Sequence, residues 1–234
     1  MYEIDGRIGY SEVDFREKLN IYGIVNRFQD CSTFQSEDMG VGVETLHTEN
    51  LVWVLSSWNI EVLRYPTLGE RITVGTFPYE FRGYFARRNF VMKDENGQIL
   101  AMADTLWMLL NYKESTPARI SEDIINRYTF EEKLPMTYFK GKIKVPEVLS
   151  AEEPITVKNS HLDANMHVNN GKFVGMVMDL LEVHDFKRLR VEYRKQGRLD
   201  DVLIPYISKD EERVVIVLKD NKGEVYTIME FSYD

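Results

Sequence analysis

The chain has 234 residues, of which 44% are hydrophobic and 29% are charged, and this composition is typical of a globular protein rather than of a disordered or fibrous one. Its length fits one large domain or two small ones. The formal net charge of -9 makes the surface repel polyanions, and the longest apolar stretches are far shorter than the roughly 20 residues that cross a bilayer. Neither a nucleic-acid partner nor membrane insertion is therefore expected.

The compartment is predicted from the first residues and from the cysteine content. Met1–Asp5 shows no basic region followed by an apolar one, so no secretory signal is expected. Cys31 is the single cysteine and cannot form an internal disulfide, which fits a reducing compartment. We expect a cytoplasmic protein. The histidines lack the H-E-x-x-H spacing of zinc hydrolases, and neither a metal nor another cofactor is expected.

The first half of the chain predicts one helix followed by strands. Apolar residues recur with the spacing of an amphipathic helix, which we place over residues 20–36, at Ile21, Ile24, Val25 and Phe28. Segments rich in β-branched and aromatic residues then predict strands, over residues 51–65, 71–77, 84–93 and 98–110. Asp94–Gly97 is typical of a tight hairpin turn, with glycine at the position that needs a positive φ.

Residues 112–150 separate this half from the next. They contain prolines, many charges and little periodicity, so we predict a linker. A short helix is expected near residues 121–128, where Ser121 is a suitable N-cap.

The second half repeats the pattern of the first. An amphipathic helix is expected over residues 169–182, with Asn169 or Asn170 as its N-cap. Strand-like segments and a second glycine-containing turn follow it, over residues 188–196, 201–207, 212–219 and 224–233, with the turn at Asp220–Gly223. A shift of 149 positions (163 − 14 = 149) aligns the apolar faces of the two helices and maps Asp163 onto Asp14.

A helix followed by an antiparallel meander, present twice, predicts an α+β chain. The pattern resembles a tandem double hotdog fold, in which each half packs a long helix against a curled antiparallel sheet. We assign residues 1–111 to an N-terminal hotdog, residues 112–150 to an inter-domain linker and residues 151–234 to a C-terminal hotdog.

Polar side chains with catalytic potential precede the second helix. Asp163, Asn165 and His167 occupy alternating positions. In an extended loop such residues project to the same side, so a carboxylate, an amide and an imidazole could converge on one substrate atom. The helix that follows offers unpaired backbone N–H groups, which could hold a developing oxyanion. The alternative, that Asp163 and Asn165 only form turns and caps, stays open at this level.

The same residues carry a family resemblance. Asp163–Asn170 resembles the D-x-N-x-H-V-N-N signature of the acyl-acyl carrier protein thioesterases, the plant enzymes together with their bacterial relatives. Trp107–Leu110 with Pro117–Ile120 is similar to the family's tryptophan strand and R-P-x-R-I-P segment, and Glu192–Lys195 is similar to its E-Y-R-R/K strand. The resemblance spans nearly the whole chain.

The resemblance implies an activity and a division of labour. It implies hydrolysis of fatty acyl-acyl carrier protein thioesters to free fatty acid and carrier protein, which ends chain elongation. The C-terminal half would be catalytic and the N-terminal half would shape the acyl pocket. The motif positions imply catalytic roles for Asp163, Asn165 and His167, and the helix start implies substrate binding by Asn169, Asn170 and Gly171.

The sequence departs from the plant members after the E-Y-R-K strand. Those members continue with a glutamate and a cysteine, whereas this chain has Gln196 and Gly197. A cysteine nucleophile at this place is therefore excluded, and a glutamine amide can position water but cannot act as a base. Glu192 shares a strand face with Gln196 but lies roughly 13 Å away at about 3.3 Å per residue, so we do not expect it to replace the missing carboxylate.

These departures favour direct attack by water without an acyl-enzyme. His167 or Asp163 would take the proton. Asn165 and the backbone N–H groups at the helix start would bind the thioester oxygen, and Gln196 would position the water. In the first half Arg16 and Lys18 stand where Asn165 and His167 stand in the second, so we expect one active site per chain.

The substrate's two parts need different surfaces. An apolar acyl chain must be buried away from water, and Trp53 and Trp58, together with Met39 and Leu46, could line its tunnel or simply fill the core. The carrier protein that the resemblance implies is acidic, and we expect it to dock on basic residues, namely Arg88, Arg194 and Lys195.

Several alternatives remain open from the residues alone. A hotdog acyl-CoA thioesterase would share the chemistry, a hotdog dehydratase would eliminate water from a 3-hydroxyacyl thioester, and a non-catalytic protein would only bind the acyl chain. The chain is expected to be a monomer, because a double copy already supplies a pair of hotdogs, or a homodimer through exposed sheet edges.

Overall fold

The computed structural model describes residues 1–182 and 185–233, and the chain forms two compact units, Met1–Tyr138 and Phe139–Asp234. The first unit contains, in chain order, β1 (Tyr2–Arg7), α1 (Ile21–Asp38), α2 (Val43–Thr48), β2 (Leu51–Val62), β3 (Arg71–Arg82), β4 (Phe85–Asp94), β5 (Ile99–Asn111), β6 (Thr116–Pro117) and α3 (Glu122–Asn126).

The sheet of the first unit is antiparallel and curls around α1. Its strands lie in the order β1, β3, β4, β5 and β2, with β6 beside β5. The apolar face of α1 is buried, as its periodicity predicts, and the ring of Phe28 lies 6.2 Å from Trp58 on β2 and 5.3 Å from Phe90 on β4. Burial of each such side chain contributes about 1.5–3 kcal/mol, so these contacts fix the helix on the sheet.

Part of the predicted linker packs within the first unit. The Ser121 side chain accepts a hydrogen bond from Ile124 N and caps α3, which confirms the short helix and its cap. Residues 131–138 are held by polar side chains of the sheet: Tyr138 donates to Asn89 over 2.8 Å. The predicted domain boundaries at 111 and 151 stay a prediction.

The second unit contains β7 (Ser150–Ala151), β8 (Ile155–Thr156), α4 (Asn170–Val177), β9 (Arg188–Tyr193), β10 (Val202–Lys209), β11 (Arg213–Lys219) and β12 (Val225–Ser232). Its strands lie in the order β9, β12, β11, β10 and β7, with β8 also beside β10. This order repeats that of β2, β5, β4 and β3. In each unit three consecutive strands form an antiparallel meander, β3–β5 and β10–β12, and the strand that follows the helix pairs with the last of them. The predicted helix on an antiparallel sheet is therefore confirmed, but a meander of all the strands is wrong, because β2 and β9 pair with β5 and β12 instead of with the next strand in the chain.

Two elements of the second unit end earlier than predicted. The α-helix ends at Val177 and passes into a 3-10 turn at Met178–Leu180, where residues up to 182 were expected in one helix. Strand β9 ends at Tyr193 instead of residue 196. The backbone N–H groups of Arg194 and Lys195 both donate to the same carbonyl, Tyr226 O, so the regular strand ladder stops there.

Glycines close both predicted hairpin turns. Gly97 has a φ of 77° and Gly223 a φ of 85°, a conformation that costs glycine little and other residues more. No helix among the described residues is both long and apolar enough to cross a membrane.

Candidate active site

The polar motif of the second unit forms a tight hairpin loop. Leu162 pairs with Val168 in an antiparallel bridge. Between them Asp163 N donates to His167 O over 2.8 Å and Met166 N donates to Asp163 O over 3.0 Å, while Met166 has a φ of 60°. This is the arrangement of a three-residue hairpin loop with a left-handed third residue. The expectation of an extended loop is therefore wrong, because the chain reverses within the motif.

The carboxylate of Asp163 holds this loop together. Its Oδ1 accepts hydrogen bonds from the backbone N–H groups of Asn165, over 2.8 Å, and His167, over 3.4 Å. Its Oδ2 accepts none from any residue that the structure describes, and the side chains of Asn165 and His167 likewise form no hydrogen bond within that part of the chain. All three residues are half-buried. The loop therefore presents one carboxylate oxygen, one amide and one imidazole that are free to meet a substrate.

The first unit contains the same loop without the same side chains. Asp14 Oδ1 accepts from Arg16 N over 2.8 Å and from Lys18 N over 3.4 Å, and Glu17 has a φ of 59°. Here the second carboxylate oxygen is occupied, since the Arg16 guanidinium donates to Asp14 Oδ2 over 2.6 Å. Although burial raises the pKa of Asp14, the hydrogen bonds from Arg16 lower it below its usual range. The aspartate thus builds the loop in both units, and only the second loop keeps its side chains free.

The start of α4 lies next to the loop and is capped by its own residues. The Asn169 side chain accepts from Gly171 N over 2.9 Å, which confirms Asn169 as the N-cap, and Asn169 O accepts from Lys172 N. Gly171 is buried and its N–H is already used, so the structure contradicts its predicted role in substrate binding. Within the described part of the chain the N–H of Asn170 has no partner outside the helix, which leaves it as the donor that could face an oxyanion.

Tyr193 fixes the helix start from the neighbouring strand. Its hydroxyl donates to Asn170 O over 2.9 Å, and its ring centroid lies 6.1 Å from that of Phe173. Burial raises the pKa of Tyr193 far above its usual range, so the phenol stays protonated as a donor. The sequence analysis missed this residue, although it stands beside Glu192 in the E-Y-R-K segment.

The segment after β9 meets the motif through Gly197. Val168 N donates to Gly197 O over 2.8 Å, which places Gln196 beside the loop. The Gln196 side chain is exposed and lies outside the strand. A Cβ atom at position 197 would lie 2.7 Å from Val168 Cγ2, closer than real Cβ contacts come, and 3.1 Å from Phe173 Cζ, tighter than most of them. The site therefore lacks both the cysteine and the space for one.

We expect Gly197→Cys to destabilise the protein by about 1–3 kcal/mol, because the added side chain overpacks against two fixed apolar residues. Denaturant unfolding measures the loss, with Gln196→Cys as the control, since that neighbouring side chain is exposed and its replacement should leave stability unchanged. Wild-type stability of Gly197→Cys together with thiol-dependent turnover would contradict this packing argument.

Glu192 has a structural role that leaves neither carboxylate oxygen available for catalysis. Its Oε1 accepts from Ile143 N over 2.5 Å and its Oε2 accepts from the Arg194 guanidinium. The expectation that Glu192 and Gln196 share a strand face is wrong, because β9 ends before Gln196. The conclusion that Glu192 does not replace a catalytic glutamate is supported on different grounds, since both of its oxygens are occupied.

The residues predicted to line an acyl tunnel fall into two groups in the first unit. Trp53 packs with Met39 and Leu46 in an apolar cluster that also includes Leu109 and Tyr128. Trp58 lies elsewhere and is 1% exposed. Its ring packs against Phe28 of α1 and Phe90 of β4, which makes it a core residue. Its predicted place in a tunnel wall is therefore not supported, whereas the position of Trp53 is compatible with one.

The structure corrects one predicted docking residue and qualifies two others. Arg88 is 7% exposed, donates to Gln35 and Thr76, and has its pKa lowered by burial, so it cannot contact a partner protein. Arg194 and Lys195 are exposed, but they are paired with carboxylates of Glu192, Asp220 and Glu224. An acidic partner would have to compete with these pairs.

We find no candidate metal-binding site among the described residues. Among residues 1–182 and 185–233, no group of three or more His, Cys, Asp or Glu side chains is arranged to hold a metal ion.

Comparison with known families gives matches over both units. Residues 2–128 match the family model described as the acyl-ACP thioesterase N-terminal domain, and residues 146–233 match the one described as its C-terminal domain. An oleoyl-acyl carrier protein thioesterase of Coriandrum sativum is 22% identical, covering 89% of this chain and 62% of the relative. A palmitoyl-acyl carrier protein thioesterase of Gossypium hirsutum is 29% identical, covering 82% of this chain and 51% of the relative. The chain thus spans less than two thirds of the length of these curated relatives.

Solved structures match over nearly the whole chain. A crystal structure of an acyl-ACP thioesterase from Bacteroides thetaiotaomicron is 25% identical with a TM-score of 0.90, covering 98% of this chain and 96% of that one. A 12:0-ACP thioesterase from Umbellularia californica is 22% identical with a TM-score of 0.86, covering 99% of this chain and 96% of that one, and supports the fold alone. These matches confirm the predicted α+β double hotdog fold.

Proposed function

Because the chain belongs to the acyl-ACP thioesterase family, we propose that it hydrolyses fatty acyl-acyl carrier protein thioesters to free fatty acid and carrier protein, and so ends fatty acid chain elongation. The observation that carries this proposal is the loop of the second unit, in which Asp163 holds Asn165 and His167 with their side chains free. The hydrogen bond from Val168 N to Gly197 O brings Gln196 to the same place.

In the proposed mechanism water attacks the acyl carbon directly. Asp163 is committed through Oδ1 to two backbone N–H groups, so we assign the proton of the attacking water to the imidazole of His167. An imidazole can accept a proton on one ring nitrogen and return it, so it can serve as base and then as acid. The C–S bond breaks, and the departing thiolate takes the proton back from His167. The free Asp163 Oδ2 would orient and stabilise the imidazolium.

The developing oxyanion needs donors that are not already used. The Asn165 amide and the N–H of Asn170 meet this condition, and each such donor is worth about 2.7–4 kcal/mol of transition-state stabilisation. Asn169 supports them as the cap of α4. Gln196, whose amide both donates and accepts, would hold the attacking water.

No thiol of this chain competes with water as nucleophile. Cys31 is buried in the first unit, and this burial raises the pKa of its thiol to about 12. A thiol in that environment is protonated at neutral pH and does not attack esters. The free thiol also supports the cytoplasmic location that we propose for the protein.

We propose that the first unit shapes the acyl pocket and that the second unit is catalytic, in accord with the predicted division at residues 1–111 and 151–234. The cluster around Trp53, with Met39 and Leu46, offers apolar surface for the chain. A monomer or a homodimer remains the proposed state.

The function is tested by following thiol release from carrier-bound acyl chains of increasing length. We expect many turnovers per enzyme, with a preference for one range of chain lengths. The same chains on CoA, and a 3-hydroxyacyl substrate analysed for an enoyl product, separate the two enzymatic alternatives. Release of no more than one equivalent of thiol from every substrate would leave acyl binding without catalysis and contradict the proposal.

A further inference from the structure

Two arginines of the first unit carry charges that the fold does not use. Arg82 ends β3, and Arg119 lies between β6 and α3. Both are exposed, and neither forms an ion pair or a hydrogen bond through its side chain with any residue in the described ranges. Their neighbour Arg87, by contrast, lies 3.8 Å from Glu80 and 3.4 Å from Asp104. Although the chain has a net charge of -9, these two unpaired guanidinium groups are suited to bind an anionic partner.

The two arginines line one open groove with an apolar floor. The groove has a volume of about 540 Å³, and its floor includes Phe81, Ile120 and Ile125. These three residues also belong to the apolar cluster that contains Trp53. The groove thus joins a cationic rim to the cluster that we propose for the acyl chain.

We propose that this groove is the docking surface for the acidic carrier protein, with Arg82 and Arg119 as its anion-binding residues. The inference rests on the proposed function, because it takes the carrier as the substrate's protein part. Guanidinium groups bind carboxylates and phosphate diesters through paired N–H donors. The docking residues expected from the sequence fit less well, since Arg88 is buried and the charges of Arg194 and Lys195 are already neutralised.

One carboxylate in the groove should weaken the binding of an acidic partner, so its removal should have the opposite effect to removal of the arginines. Glu122 lines the groove as the first residue of α3. It forms no ion pair with either arginine in the described structure. A negative side chain here repels an acidic partner, so Glu122→Gln should tighten carrier binding while the arginine reversals weaken it.

The experiment compares Arg82→Glu, Arg119→Glu and the double variant with a charge-matched control. Arg71 starts the strand that Arg82 ends, roughly 36 Å away at about 3.3 Å per residue, and is exposed. Arg71→Glu, alone and combined with Lys222→Glu, therefore changes net charge equally without touching the groove. Binding of labelled holo-carrier protein is titrated for every variant, and KM and kcat are measured for one acyl chain on the carrier, on CoA and on uncharged N-acetylcysteamine.

We expect the double variant to raise both Kd and KM for the carrier about tenfold, with less difference at high salt, because exposed charges are screened. Glu122→Gln should lower both values about threefold. Turnover of the N-acetylcysteamine substrate and all values of the Arg71 and Lys222 controls should stay as in the wild type.

Two results would overturn the docking surface. One is an unchanged carrier Kd in the double variant, and the other is an equal rise of KM for CoA, which would indicate a phosphate-bearing small ligand in the groove. Failure of the proposed function is recognised separately, since the wild type would then release no thiol from any substrate, while the binding titration would still test the surface.

Discussion

His167→Ala is expected to lower kcat for an acyl-carrier substrate by roughly 10²–10⁴-fold, the range that general acid–base groups contribute. The imidazole forms no hydrogen bond within the described ranges, so its removal should leave folding intact. KM should change little, because the role that we propose for this residue is to exchange a proton with the attacking water and the leaving thiolate, not to hold the acyl chain. Steady-state kinetics with the same batch of carrier substrate measure both values.

The control for this variant is the matching position of the first unit. Lys18→Ala alters the residue that corresponds to His167 in the inactive loop. It should retain wild-type kcat. If His167→Ala keeps kcat within about threefold of the wild type, or if Lys18→Ala loses as much activity, the assignment of the site to the second loop is wrong.

Two replacements of Asp163 should separate its structural task from its chemical one. Asp163→Ala removes the acceptor of two backbone N–H groups and should lower the free energy of unfolding by about 1–3 kcal/mol. Asp163→Asn keeps an oxygen at Oδ1, and asparagine forms the same turn, so stability should remain near that of the wild type. Its kcat should nevertheless fall roughly 10²-fold or more, because the negative charge that we propose stabilises the imidazolium is lost.

Asp14 provides the matched pair for this comparison. It makes the same two backbone contacts in a loop without catalytic side chains. Asp14→Ala should therefore lower stability, while turnover measured below the unfolding temperature stays unchanged. Equal stability and equal activity of Asp163→Ala and the wild type would show that the carboxylate serves neither purpose.

The regular elements were predictable because their causes are local. The helix expected over residues 20–36 is observed as α1, Ile21–Asp38, since an apolar stripe with helical spacing has one stable way to face a core. The meanders β3–β5 and β10–β12 follow from local antiparallel pairing, whereas the pairing of β2 with β5 and of β9 with β12 joins strands that are not consecutive in the chain. The repeat shift of 149 (163 − 14 = 149) maps even the left-handed residues onto each other, Met166 onto Glu17.

The conformation of the candidate catalytic loop at Asp163–His167 was harder to predict. A left-handed third residue is rare for methionine or glutamate and is set by the surrounding hydrogen bonds. The spacing of Asp163, Asn165 and His167 identified the polar side chains but not the reversal of the chain between them. The first unit has the same reversal, and Asp14 accepts hydrogen bonds there from the same two backbone positions as Asp163. Asp163 therefore also has a structural role.

The error at Arg88 has a physical cause that alternation could have revealed. On β4 the side chains of Ala86, Arg88 and Phe90 share one face, and Ala86 and Phe90 are buried. Arg87 faces the other way. Arg87 and Arg88 are adjacent basic residues, and the period of two along the strand places Arg88 in the interior and leaves Arg87 half-buried on the other face. The packing of residues 112–138 could not be predicted for a different reason. Their contacts with Asn89 and Asn59 join parts of the chain that are distant in sequence, and no local pattern indicates such contacts.

The central claim, hydrolysis by direct attack of water, is tested most directly by one measurement. Wild-type protein is mixed with an acyl-carrier thioester in large excess, free thiol and fatty acid are counted, and the protein is quenched during turnover for intact mass analysis. We predict many equivalents of both products and an unchanged protein mass. A protein that gains the mass of the acyl chain during turnover, or that releases no free fatty acid, would contradict the claim.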